Sequence, residues 1–439
     1  MEDFIFAPLV LVVGFGVHLA LLRRAEPWEM RAFNVAFVAH AASAFAQVLL
    51  TRYYFRGGDM LGYWENGVEV ADVLRDDFPR FFPELVSAFL QRPYEYPVLI
   101  FGGSSTGSMS VASALVLFLT GNSLYAAVLL VSLLNYVSQQ LLYRALKPEF
   151  EPAQQQRVLW GTNLLPSAVF WSSALLKEPL IMATLGPMVL ALKWLSDGHR
   201  RVLALLMLVP SMTVMTMVKP YVLMALSLGA AVFYLWRRFR SQGATALKPF
   251  SVVTAVALGA AGLVLGNNYF SKADEASAAS ALARQRAVGY RTEGGSNFQI
   301  DALSESAVEK RTLTQELVLA PMALFTALFR PFLFEARNVV QLVNALESTL
   351  LLLLFARSWR RTSLRAMVSY VSGSPALLFC LVFTLALAIG TGLATTNMGT
   401  LSRYRAPMMP FFFTLLLVLD EWSARQARVA FVRPAVGAR

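Results

Sequence analysis

Apolar runs recur from one end of the chain to the other, at 5–22, 33–51, 124–143, 158–175, 179–195, 202–218, 221–236, 250–267, 339–356, 375–395 and 406–420. A helix needs roughly 17–25 residues to cross a hydrocarbon core about 30 Å thick. No stretch alternates with the period of two that a membrane β-barrel requires. The pattern predicts an all-α fold, a polytopic transmembrane helix bundle of about 11 spans (11–13), built as a single integral membrane domain over 1–439. The opening MEDFIFAPLVLV lacks the basic flank of a cleaved signal, so the first run is expected to be retained as a span.

Two segments test the count. Residues 98–120 are uncharged and long enough to cross, but Gly102 and Gly103 interrupt them. Residues 317–334 are interrupted at Arg330-Pro331. Short basic loops decide between the readings. Arg23-Arg24, the stretch from Arg144 to Arg157, Arg200-Arg201, Arg237 to Arg240, Arg357 to Arg365, and a tail with Arg425, Arg428, Arg433 and Arg439 all fall on one side if neither segment crosses. That arrangement satisfies the positive-inside rule. Both segments are therefore read as re-entrant or surface-lying pieces beside two large external loops, loop A at 52–122 and loop B at 268–338. The alternative is a true span at 98–120 with a partner missed elsewhere. Runs 202–218 and 221–236 meet at Lys219-Pro220, where proline disfavours one continuous helix, so Lys219 is placed at an external turn.

Composition agrees with a membrane protein. Hydrophobic residues make up 56% of the chain and charged residues only 15%, against about 25% charged in ordinary soluble domains. The net charge of +11 is explained by basic loops beside apolar runs, and no nucleic-acid partner is expected. Cys380 is the only cysteine, which excludes an internal disulfide and a cysteine-rich metal site. His18, His40 and His199 show no metal-ligand spacing, so no metal residues are assigned. Each external loop holds eight acidic residues, together 16 of the 27, which points to a binding or active surface on that face. Loop B opens as a polar, Ala-rich stretch with Gly294-Gly295-Ser296, read as a solvated linker or a lid.

Three polar features stand at that face. Loop A begins TRYYFRGGDMLGYWENG: Gly57-Gly58 permits a sharp turn, Asp59 follows, and Tyr63 falls on the same helical face with Trp64 beside it. A carboxylate beside aromatic faces suits a sugar; the same residues would also suit an interfacial aromatic belt with a turn aspartate. LLPSAVFWSSALLKEPLI brings Lys177 and Glu178 to an external turn, either as a charged pair or as a simple helix cap. TTNMGTLSRYRAPMMP sets Arg403 and Arg405 around Tyr404, a phosphate clamp or a headgroup anchor.

In this order, with the tract YEYPVLIFGGSST between them, these features resemble the GT-C superfamily of integral membrane glycosyltransferases, especially protein-mannosyltransferase-like and aminoarabinose-transferase-like bacterial members. The resemblance covers roughly 33–420. It implies a GT-C-like bundle in the bacterial inner membrane with its active site facing the periplasm. It also implies a polyprenyl-phosphate-linked sugar donor, a glycan, lipid or protein acceptor, and inversion at the transferred sugar. By the same resemblance Asp59 is the general base, Glu178 matches a second acidic position, Arg403, Tyr404 and Arg405 hold the leaving phosphate, and Lys177 and Lys219 are further substrate-binding candidates. The resemblance fixes no cofactor and leaves room for a divalent metal. Gly58 and Met60 flank Asp59 where many relatives carry a second acid, and the span at 5–22 is an addition. Two rivals stand beside it: an envelope polysaccharide polymerase or ligase using undecaprenyl-diphosphate-linked glycans, and a lipid-linked sugar transporter or flippase. The first would depend on paired external arginines. The second would favour repeated halves and charges within spans, and the chain shows no repeat.

Overall fold

A computed structural model describes residues 2–95, 102–242, 286, 298 and 313–436, and its regular structure is helical throughout. Eight helices in it are long and apolar enough to cross a membrane: Glu2–Leu22, Pro27–Phe55, Leu124–Glu149, Lys177–Asp197, Arg201–Val218, Pro220–Arg237, Val339–Arg361 and Pro375–Ala394. They support an integral membrane protein. The run expected at 250–267 lies outside the described residues. The one at 406–420 falls in a longer helix, Met409–Val436, that carries Asp420 and Glu421.

One expected span is corrected. Residues 158–175 do not form a continuous helix but end one helix at Asn163 and begin another at Pro166. The cause is local: proline drives the residue before it out of the helical region, and Leu165 has φ −76° and ψ 119°. By contrast Lys219-Pro220 separates two helices as the proline predicts. Of the segment 98–120, the helix Ser105–Leu119 is described. Its 15 residues make about 22 Å, short of a bilayer core.

Contacts divide the chain into two compact units, Met1–Ala145 with Thr162–Pro220, and Leu146–Gly161 with Tyr221–Arg439. The first unit holds α1 (Glu2–Leu22), α2 (Pro27–Leu49), α3 (Asp59–Asp76), α4 (Phe78–Phe89), α5 (Ser105–Leu119) and most of α6 (Leu124–Leu146). It also holds α8 (Pro166–Trp171), α9 (Lys177–Asp197) and α10 (Arg201–Val218). The second unit holds α7 (Pro152–Asn163) up to Gly161 and α11 (Pro220–Gln242) from Tyr221 onward. Its other helices are α12 (Leu313–Phe329), α13 (Val339–Arg361), α14 (Leu364–Ser372), α15 (Pro375–Ala394), α16 (Met398–Tyr404) and α17 (Met409–Val436).

The first unit is organised along α6. An apolar solvent gives helices little reason to associate through apolar faces, so close packing and hydrogen bonds must hold them. Several polar side chains of α6 are buried and reach out to its neighbours. Tyr136 Oη lies 2.7 Å from His18 Nδ1 of α1, and Ser132 and Gln139 contact the two ring nitrogens of His40 of α2 at 3.2 and 3.1 Å. On another side Ser138 donates to the Met182 carbonyl and accepts from the Gly186 N–H of α9, at 2.7 and 3.0 Å. A Cβ at position 186 would overlap the Ser138 backbone, so glycine is what lets α6 and α9 meet there.

In the second unit α17 gathers the ion pairs. Asp420 accepts from Arg357 of α13 at 2.6 Å and from Arg361 at 3.0 Å. Glu421 pairs with Arg157 of α7 and with Arg425 one turn on. Tyr370 of α14 stacks on Trp422 at 4.4 Å between ring centres.

Helix α4 shows a partly exposed apolar stripe. Leu85 and Ala88 are buried with Val111 and Ala114 of α5, while Phe78, Phe82 and Val86 are 44%, 37% and 43% exposed. These three recur every four residues, so they form one line along the helix. With eight membrane-length helices among the described residues, that line is expected to rest in lipid. A nitroxide on Phe82→Cys should collide with oxygen far more often than with a water-soluble nickel chelate in reconstituted protein; the opposite ratio would place α4 in water. Cys380 is buried and does not compete for the label.

Candidate functional site

Glu178 and Lys219 meet where α9 begins and α10 ends. Lys219 Nζ lies 2.5 Å from Glu178 Oε1, and their side chains are 6% and 2% exposed. Lys177, half-buried on the same first turn of α9, places its Nζ 3.1 Å from Ser105 Oγ and 2.9 Å from Thr106 Oγ1. Both hydroxyls open α5. Lys177, Glu178 and Lys219, three residues expected at external turns, are thus brought into one cluster.

The surrounding sequence explains how the cluster is held. Asn135 of α6 donates to the carbonyls of Ser172 and Pro179, each at 3.0 Å, so one amide grips both ends of the stretch that carries Lys177 and Glu178. Gln91, just after α4, donates to Ser108 Oγ at 3.2 Å and to the Met217 carbonyl at 2.9 Å. It thereby ties α5 to the end of α10, two residues before Lys219. Ser104 caps α5 by accepting from the Thr106 and Gly107 N–H groups, which satisfies donors a helix start otherwise leaves open.

Asp59 is the first residue of α3 and is exposed. Gly58 before it has φ +120°, a conformation that side chains disfavour, which is why the chain can turn from α2 into α3 there. Tyr63 and Trp64 are half-buried against the apolar cluster that contains Met60, Met109 and Leu176. Trp64 Nε1 donates to the Asn122 carbonyl at 3.0 Å. The aromatic pair is therefore part of the packing of α3 rather than an open platform. Met60, Met109 and Leu176 lie one to three residues from Asp59, Thr106 and Lys177, so these polar residues border one apolar core.

The arginine turn in the second unit departs from expectation. Arg405 is fully buried. Its Nη atoms donate to the carbonyls of Ala327 (3.4 Å) and Arg330 (2.7 Å) and to Ser348 Oγ (3.0 Å). It joins the end of α12 to α13 and is corrected from an outward clamp to a structural tie. Burial lowers its pKa, and the charge of Glu347 works in the other direction. Arg403 and Tyr404 are half-buried, with the guanidinium 5.4 Å from the tyrosine ring centre.

Beside that tie, Glu335 receives Arg330 Nε at 3.0 and 3.2 Å on its two oxygens and the Phe332 N–H at 2.8 Å. Burial alone would raise its pKa, but these hydrogen bonds and the arginine's charge outweigh burial, and the carboxyl lies below its ordinary 4.5. A lowered acid stabilises the fold above the ordinary value and loses that contribution as pH falls through the lowered one. Thermal unfolding should therefore show an acid limb below about pH 4.5 that Glu335→Gln flattens.

Residues that sequence reasoning passed over carry much of this geometry. Asn135 was visible as an amide inside an apolar run, a signal of buried hydrogen bonding. Ser105, Thr106 and Gln91 gave none. Arg286, within the stretch read as a solvated linker, is buried and binds Glu316 of α12 through two 2.7 Å contacts, with a third donation to the Leu393 carbonyl at 2.6 Å. Gly294 to Ser296 lie outside the described residues. Among the described residues no three His, Cys, Asp or Glu converge as metal ligands. In comparisons with known proteins, no family model, curated protein or solved structure matches the chain.

Removing one member of a buried ion pair leaves an uncompensated charge and costs about 3–5 kcal/mol, whereas replacing both is near neutral. Lys219→Met should therefore lower the unfolding midpoint sharply in detergent. Adding Glu178→Gln should recover most of the loss. Equal midpoints for wild type and Lys219→Met would show that the pair contributes nothing.

Proposed function

We propose that the chain is a membrane glycosyltransferase of the bacterial inner membrane. It moves a sugar from a polyprenyl-phosphate donor to an acceptor on the non-cytoplasmic face, with inversion. The observation that carries this reading is the charged cluster of Lys177, Glu178 and Lys219 beside two hydroxyls, at the edge of the apolar core that takes in Met60 next to Asp59. A lipid-linked sugar phosphate needs such a setting: an apolar body for its tail and cationic donors for its headgroup.

In the proposed reaction the bond between the anomeric carbon and the phosphate oxygen breaks, and its electron pair stays on that oxygen. The acceptor hydroxyl forms the new bond from the opposite side, and its proton passes to the Asp59 carboxylate. The leaving group is an anion, so stabilising it requires positive charge rather than a protein acid. Glu178 acts indirectly by holding Lys219 in place. A divalent metal is compatible with this chemistry, and no step above is assigned to one. Arg403 and Tyr404 are read as headgroup contacts of their own turn. The polymerase or ligase reading rests on paired external arginines, and the enclosure of Arg405 removes one of the two.

A positioned general base is worth about 10²–10⁴-fold in rate. Asp59→Asn is expected to lose sugar transfer by that order from a purified lipid-linked donor, with expression and unfolding midpoint unchanged. Normal turnover in that variant would remove Asp59 from the mechanism.

A further inference from the structure

We infer that one side of α13, together with the helix α14 that follows it, forms a binding surface for an anionic phospholipid. The inference depends on α13 crossing the membrane and not on the glycosyl-transfer reading. Leu346, Leu350, Leu353, Arg357 and Arg360 follow one another at steps of three or four residues, so they make one stripe along α13. The three leucines are 55%, 48% and 60% exposed, and the exposed Leu342 extends the stripe by one turn. From Leu342 to Leu353 it runs about 16 Å, close to half the thickness of a bilayer core. The stripe then turns from apolar to cationic, and the exposed Trp359 stands at the change, where an interfacial ring belongs. An acyl chain lying on the leucines therefore carries its phosphate to the level of Arg357 and Arg360.

Helix α14 completes the surface. Thr362 leaves the helical region at φ −142° and ψ 155°, and Ser363 caps the new helix by accepting from the Ala366 N–H at 3.2 Å. Met367 and Val371 are buried and Tyr370 stacks on Trp422, which leaves Leu364, Arg365 and Val368 facing outward. A helix with apolar and basic residues on its open face, at the end of a span, suits the headgroup boundary. Charge then selects the lipid. No acidic residue occurs from Ser348 to Leu419, while the turn between α13 and α15 carries Arg357, Arg360, Arg361 and Arg365. The acids of α17 are already engaged: Asp420 meets Arg357 and Arg361, and Glu421 meets Arg157 and Arg425. Arg360 and Arg365 are exposed and have no acidic partner among the described residues. A zwitterionic headgroup brings its own cation to such a place, whereas an anionic one leaves its phosphate free for the guanidinium groups.

The purified full chain should be titrated with dioleoyl phosphatidylglycerol and dioleoyl phosphatidylcholine, which share their tails, and the first bound lipid followed by native mass spectrometry. Wild type is expected to hold phosphatidylglycerol at least about tenfold more tightly. Arg360→Gln/Arg365→Gln should reduce that preference by roughly the same factor, with an unfolding midpoint near wild type, and Arg360→Lys/Arg365→Lys should keep most of it. Arg23→Gln/Arg24→Gln removes the same charge elsewhere and should leave the preference intact. Equal affinity for the two lipids, or an unchanged preference in the Arg360/Arg365 glutamine variant, would overturn the inference. An equal loss in the Arg23/Arg24 variant would overturn the location by reducing the effect to net charge. Glycerol phosphate binding as tightly as the whole lipid would remove the leucine stripe from the surface.

Discussion

A carboxylate and an ammonium shut away from water must stay together, and that requirement governs one end of the first unit. Neither Glu178 nor Lys219 can leave its partner without stranding a charge in a poor dielectric. Their pairing fixes the start of α9 against the end of α10. It also fixes where Lys177, one residue before Glu178, can reach. The amide of Asn135 and the side chain of Gln91 serve the same end by neutral means. The site is rigid because its charges would otherwise be intolerable.

The same logic, without charge, runs through the rest of that unit. The histidines of α1 and α2 are answered by hydroxyl, phenol and amide groups of α6, and a serine of α6 meets the backbone of α9. In the second unit, guanidinium groups take this part: Arg286 toward Glu316, Arg357 and Arg361 toward Asp420, and Arg405 toward carbonyls that a helix end leaves open. A guanidinium spreads its charge over several donors in a plane, so one side chain can join several elements.

Signals confined to a few neighbouring residues were legible in the chain. Pro220 announces a helix boundary, and Gly57-Gly58 announces the turn before α3, because proline and glycine act on the backbone where they stand. Pro166 carried the same message and was outweighed by the apolar run around it. Partners distant in sequence were not legible. Glu178 and Lys219 lie 41 residues apart, and nothing in their spacing says that they touch. The direction of an arginine is equally hidden: Arg403 and Arg405 flank one tyrosine with the same chemistry, yet only the second is swallowed by the fold. Candidate charges could be named from their positions at external turns, but which ones join required the packing of α5, α9 and α10.

The hydrogen bonds along α6 also bear on how the chain is made. His18 and Tyr136 are 118 residues apart, and His40 and Gln139 are 99 apart. At roughly 5–20 residues per second, a ribosome takes several seconds to cover either distance. Through that interval His40 and the Nδ1 side of His18 lack their lasting partners on α6, while His18 Nε2 already has Asn34 of α2 at 2.9 Å. Water, lipid headgroups or the insertion machinery must keep those rings solvated until α6 emerges, so the order of synthesis and the order of assembly differ for this bundle.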